Sequence, residues 1–281
     1  MTVMLAALRN RNISFAGKMR TRRRVYARLL SGLACALVLA GCGGGGYSVP
    51  APIAAGNYYG TTVPMGNGTV RTVVTVDANG KPSSVGVQFT SAALSGQSNS
   101  LATEFDPVFP TQVNIAPINN VALTYRPTGK FPPGTYDIPQ IAASFFYVTP
   151  QFRQQITNIG NAAYNKLYGI ALADEAPPTY FLQANSGAPG FGAHYVYFEN
   201  PEFVNGGFTF STDLLYYNSH MIGIEPFVAL SVLKQNSSRT VTIEQPLKYP
   251  SKGYFPTQTR YSYDLPTDTY TIALDGLVYR N

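Results

Sequence analysis

The chain is 281 residues long, with 45% hydrophobic, 13% aromatic and only 12% charged residues. It carries 20 Lys+Arg against 14 Asp+Glu, a formal +6, but eight of those bases and none of the acids fall in positions 1–41. The remainder is 12 against 14, a net −2, so the basic balance belongs to the N-terminal segment and gives no support for nucleic-acid binding.

That segment reads as a secretory signal. Arg20, Arg22, Arg23, Arg24 and Arg28 form a cationic start, Leu29 to Leu39 an apolar stretch, and Ala40-Gly41 lead into Cys42. A run this short cannot span a bilayer, which takes about 20 apolar residues. Leu39-Ala40-Gly41-Cys42 has the form of a lipobox, in which the cysteine sulfur receives a diacylglycerol and becomes the mature N-terminus. Gly43 to Gly46 follow as a flexible tether. Residues 1–18 fit no part of the signal, and Met19, directly before the arginine cluster, is where a signal of ordinary length would begin. The expectation is export, processing before Cys42, and lipid anchoring in the cell envelope. Glycine rather than aspartate after the cysteine points, by the enterobacterial sorting rule, to the outer membrane. Cys35 and Cys42 are the only cysteines, so the mature chain has none to form a disulfide.

Residues 42–55 read as lipidated cysteine plus Gly/Pro tether, and 56–281 as a single β-rich domain. Val, Thr, Tyr and Phe recur with period two, the pattern of half-buried strands. A run over 69–76 meets Val85 to Phe89 through Asp77-Ala78-Asn79-Gly80, a hairpin turn sequence. Thr90 is placed to cap a helical turn or two ending at Gly96. Thr149-Pro150 combines an N-cap with proline at the first helical position, predicting a helix through Phe152 to about Ile159. Phe208 to Tyr217 and Met221 to Leu230 flank the turn Asn218-Ser219. Thr240 to Glu244 alternates, and Pro266-Thr267-Asp268 joins the last two strands, in which Tyr270, Ile272 and Leu274 share a face. The fold expected is all-β, mostly an antiparallel sandwich or barrel, with two or three short helices.

Chemistry-bearing motifs are few. The sequence has no Gly-x-Ser-x-Gly elbow, phosphate loop or His-Glu-x-x-His, and Gly187 to Gly192 lacks the strand, helix and lysine of a phosphate cradle. Of two histidines, His220 beside a turn reads as solvated, whereas His194 opens an apolar strand. Glu225 stands among apolar residues on another strand and needs either solvent or a buried partner, for which His194 is one candidate. One His and one Glu fall short of the three or four ligands of a zinc or iron site, so neither a metal nor a cofactor is expected. The 20 tyrosines suit half-buried strands, and tryptophan, common on sugar-binding faces, is absent.

The blocks Gly66-Asn67-Gly68-Thr69, Asp77-Ala78-Asn79-Gly80-Lys81-Pro82, Pro132-Pro133-Gly134-Thr135-Tyr136-Asp137-Ile138-Pro139, Phe145 to Pro150, Pro201-Glu202-Phe203 with Gly206 to Thr209, and Ile224-Glu225-Pro226 occur in that order. In this the chain resembles a bacterial extracytoplasmic domain family of unknown function, typified by a sigma-factor-regulated Thermus protein. The resemblance carries no established activity. It implies a histidine after the Tyr-Asp-x-Pro segment, an aspartate two residues on and a second histidine four residues on, where this chain has Gln140, Ala142 and Ser144. It implies further histidines near Lys130 and Phe210, while His194 and Glu225 match its remaining polar positions. A metal site on that pattern would be depleted here. The leading expectation is therefore a non-enzymatic lipoprotein whose domain binds an envelope component or another copy of itself. The alternative is a metal-binding protein or metal-dependent enzyme using His194 and Glu225.

Overall fold

The computed structural model describes residues 53–204 and 207–281. Residues 1–52, on which the expected export signal, Cys42 and the expected tether fall, lie outside the described residues. Strands β1 (Gly56–Tyr59) and β2 (Val63–Met65) lie on β3 (Gly68–Val76). Val70, Thr72, Val74 and Val76 alternate into the interior along β3. The expected hairpin follows: Asp77 Oδ1 accepts from the backbone N–H of Asn79 (2.8 Å) and Lys81 (2.9 Å), and Gly80 supplies a φ of +73° before β4 (Pro82–Thr90). A 3-10 turn does follow at Ser91–Leu94, but Thr90 does not cap it; its Oγ1 accepts from the N–H of Thr69 instead.

The chain then forms β5 (Thr103–Phe105), β6 (Asn120–Arg126) and β7 (Gln140–Phe146). Helix α1 (Pro150–Arg153) is capped by the Thr149 hydroxyl as expected, but it stops after one turn. A separate helix, α2 (Asn161–Leu167), precedes β8 (Tyr180–Leu182) and β9 (Ala193–Tyr197). Helix α3 (Pro201–Val204) leads to β10 (Phe210–Tyr217), which turns at Asn218-Ser219, both at positive φ, into β11 (His220–Ala229). Helix α4 (Leu230–Leu233), β12 (Arg239–Thr242), β13 (Gly253–Phe255), β14 (Gln258–Asp264), β15 (Thr269–Asp275) and β16 (Val278–Arg280) complete the described chain. Three of the four α-helices among the described residues are single turns, too short to leave a helical period in the sequence.

Two antiparallel sheets of seven strands result, neither closed into a barrel. The first runs β1-β3-β4-β15-β14-β12 with β2 attached to β3, and the second β5-β6-β7-β11-β10-β9-β8; β13 and β16 form a separate pair. Their facing sides share one core, in which Val74, Val87, Ile272 and Leu274 from the first sheet meet Leu123, Ile141, Phe145 and Val228 from the second. Phe210 and Tyr261 touch across the sandwich with centroids 4.9 Å apart, and the Thr212 and Thr259 hydroxyls hydrogen-bond across it at 2.7 Å. Much of the tyrosine content is spent here and beneath the loops: Tyr136, Tyr195, Tyr216, Tyr261 and Tyr270 are buried.

The opposite face of the second sheet is not left to solvent. At one end Ala122, Phe146, Leu215 and Ile222 pack under Ile156 and Leu167; at the other, Ala142, Phe227 and Ala229 pack under Tyr136 and Phe208. Between these small apolar clusters the same face carries Ser144, Glu225, Asp213 and His194, all buried. Among the described residues no helix is long and apolar enough to cross a membrane.

Candidate functional site

The site is set by strand register. Asp213 on β10 lies directly across from Glu225 on β11. On the other side of β10, His194 of β9 pairs with Leu215, two residues along, which puts its ring diagonally beside Asp213 on the same face. Asp213 and Glu225 are fully buried, and the His194 side chain is 7% exposed. Two such carboxylates side by side would be untenable without compensation.

Compensation comes from two cations, Arg126 at the end of β6 and Lys130 on the β6–β7 connection. Lys130 Nζ donates to Asp213 Oδ2 at 2.7 Å and to Glu225 Oε1 at 3.1 Å, and lies 3.5 Å from the centre of the Phe227 ring. Arg126 Nη1 donates to the same Glu225 oxygen at 3.3 Å, and Ser144 Oγ to Glu225 Oε2 at 2.5 Å. Burial pushes the Glu225 carboxyl up, but Arg126, Lys130, His194 and the Ser144 hydroxyl outweigh it and hold the group well below the ordinary carboxylate range. The loop bearing Lys130 is pinned: its N–H donates to Tyr136 O, and Gly129 holds a φ of +75° where an added Cβ would come within 2.0 Å of that carbonyl oxygen.

His194 Nδ1 is 3.0 Å from Asp213 Oδ2 and 3.9 Å from Glu225 Oε1. The sequence pairs His194 with Glu225; the structure brings both into one cluster but gives the imidazole to Asp213. A carboxylate only accepts, so Nδ1 carries the proton in this bond, and in the neutral ring Nε2 is then an acceptor. Nε2 makes no hydrogen bond among the described residues, and none of their hydroxyls or thiols pairs with it as a nucleophile would. His220, by contrast, is at the surface as expected, although its Nδ1 lies 3.2 Å from both oxygens of the buried Glu175.

Beside the cluster is a cavity of about 220 Å³ bounded by Arg126, Lys130, His194, Gln183, Asn185 and Ala188. Phe191 divides it from a larger groove of about 590 Å³. The guanidinium in that groove, Arg153, is already taken up by Glu104 (2.8 Å), Asp106 (3.4 Å), Asn120 (3.3 Å) and the carbonyl of Gly190 (3.0 Å). Gln140 and Ala142, the other positions singled out by the family resemblance, share the face of Ser144 but do not touch the cluster: Gln140 Nε2 donates to Tyr136 O, and Ala142 packs with Phe227.

Sequence reasoning missed Asp213, Lys130 and Arg126 as members of the site. Asp213 had the same signal as Glu225, a lone acid on an alternating apolar strand. The cations sit at a strand end and on a loop, where nothing in the local sequence shows which way they turn. No protein family, curated protein or solved structure matches this chain in the comparisons made.

Proposed function

We propose that this chain is a cell-envelope lipoprotein, anchored through lipid on Cys42 in the outer membrane, whose β sandwich is a non-enzymatic binding or structural domain. The reading includes kinship with the family of unknown function that the sequence blocks resemble, and a partner that is an envelope component or a second copy of the chain. The anchoring rests on the lipobox, the arginine cluster before it and the glycine tether after it.

The observation that carries the non-enzymatic reading is the position of Lys130 Nζ, at 2.7 and 3.1 Å from the two buried carboxylates. With Arg126 it matches two negative charges by two positive ones, so the cluster is balanced by its own side chains and acts as an internal staple on the sheet face.

One observation favours a second reading: His194, Asp213 and Glu225 each offer a ligand atom, all within 4.8 Å of one another. A divalent ion there would have to displace the ammonium group and meet two remaining cations, Arg126 and the expelled lysine. Elemental analysis of the purified chain separates the two. The proposal expects no stoichiometric zinc, iron or copper; one equivalent of any of them would replace it with the metal-binding reading.

A further inference from the structure

The cavity beside the ion cluster is lined by two hydrogen-bonding groups that no protein partner among the described residues occupies. Arg126 has five N–H donors, and among the described residues only one is used, on Glu225 at 3.3 Å. Its side chain is 13% exposed and lines the cavity, and its remaining donors have no protein partner among the described residues. A planar guanidinium fork matches a carboxylate in two parallel bonds. His194 makes the complementary demand. Its Nδ1–H is committed to Asp213, so in the neutral ring Nε2 is an acceptor with no protein donor among the described residues.

The acids do not repel an incoming anion unopposed. Asp213 and Glu225 have no exposed side-chain surface, whereas Lys130 and Arg126 keep 14% and 13%. A ligand therefore meets the cations first, over a cluster of zero net charge. At the rim, Gln183 and Asn185 offer amides, and Phe131 and Ala188 form short apolar wall. At about 220 Å³ the cavity is of a size for a small molecule.

We propose that this cavity binds a small α-amino or α-hydroxy carboxylate, with the carboxylate on Arg126 and the α-ammonium or hydroxyl donating to His194 Nε2. A simple carboxylate offers Nε2 no donor and an amine offers Arg126 no acceptor, whereas a ligand carrying both groups serves both. The inference rests on the binding-domain reading and specifies the ligand class.

Calorimetric titration of the purified full-length chain with L-alanine, L-lactate and propionate tests it, each with and without EDTA. Alanine or lactate binds more tightly than propionate by about tenfold, one charged hydrogen bond's worth, and whichever of the two binds identifies the donor. Arg126→Met weakens binding by at least about the same factor. Ala188→Leu, which narrows the cavity from its rim and leaves every residue of the ion cluster in place, does likewise and decides the matter if Arg126→Met fails to fold. Absence of binding by all three probes at millimolar concentration overturns the proposal, as does equal binding of alanine, lactate and propionate or unchanged affinity in both variants. Binding that is lost with EDTA would instead overturn the underlying reading, by showing a metal in the cluster.

Discussion

Lys130→Met removes the cation from the centre of the cluster while leaving an apolar side chain of similar length over the Phe227 ring. Two charge-assisted hydrogen bonds go with it, at 2.7 Å to Asp213 and 3.1 Å to Glu225. Glu225 keeps Arg126 and Ser144, but Asp213, which has no exposed side-chain surface, keeps only His194. Removing one partner of a buried ion pair costs about 3–5 kcal/mol. The lysine is 14% exposed and the imidazole remains beside Asp213, so the lower end applies, about 3 kcal/mol. For a chain of this size that lowers Tm by roughly 6–12 °C. Asp213→Asn should cost a similar amount, because it leaves the ammonium group short of its closest partner. The double variant Lys130→Met/Asp213→Asn removes one charge of each sign and leaves Glu225 paired with Arg126. It should therefore be more stable than the two single losses added together, by about 1–3 kcal/mol. Urea unfolding followed by circular dichroism measures all four proteins. Strict additivity, or a loss below about 1 kcal/mol for Lys130→Met, would refute the ion cluster as a staple of the fold.

Three further outcomes are expected, two from this geometry and one from the sequence around Cys42. Because the Glu225 carboxyl is held well below its ordinary value of 4.5, its stabilisation is complete above that value and is lost as pH falls through the native one; acid unfolding should begin below about pH 4.5, and at a higher pH in Lys130→Met, as an acid titration of ellipticity will show. Gly129→Ala forces a side chain into a φ of +75° and against Tyr136 O, and should cost at least about 1–2 kcal/mol in urea; a neutral result would mean the Lys130 loop is not fixed as described. Cys42→Ser should abolish incorporation of a fatty-acid analogue and leave an unprocessed precursor; equal labelling of variant and wild type would remove the lipid anchor from the proposal.

The strands that were legible in the sequence are those with one buried face and a turn of marked chemistry. Along β3, Val70, Val74 and Val76 alternate inward and Asp77-Ala78-Asn79-Gly80 closes the hairpin, so period and turn agree. The same holds for Tyr270, Ile272 and Leu274 on β15, with Asp268 at positive φ before them. The central strands of the second sheet were harder to place. On β7 and β11 both faces are covered, so alternation gives no direction, and Glu225 reads only as an anomaly in an apolar run. The closure of that outer face depends on single-turn helices and on loops from Lys130 to Gly192, whose packing is a tertiary property. Hence His194 and Glu225 stood out, while the residue that joins them, Asp213, and the cations that neutralise them did not. Sequence reasoning also offered a barrel as an equal option, because strand pattern alone does not say whether the edges of a sheet meet.

Lys130 supplies the positive charge between Asp213 and Glu225. Thermal melts of the wild type and Lys130→Met, each with EDTA and with added zinc, test it most directly. The wild type should keep the same Tm in both conditions, whereas Lys130→Met, with His194, Asp213 and Glu225 still within 4.8 Å of one another, should be raised by zinc. A wild type that melts lower in EDTA would contradict the claim and place a metal ion where the lysine is assigned.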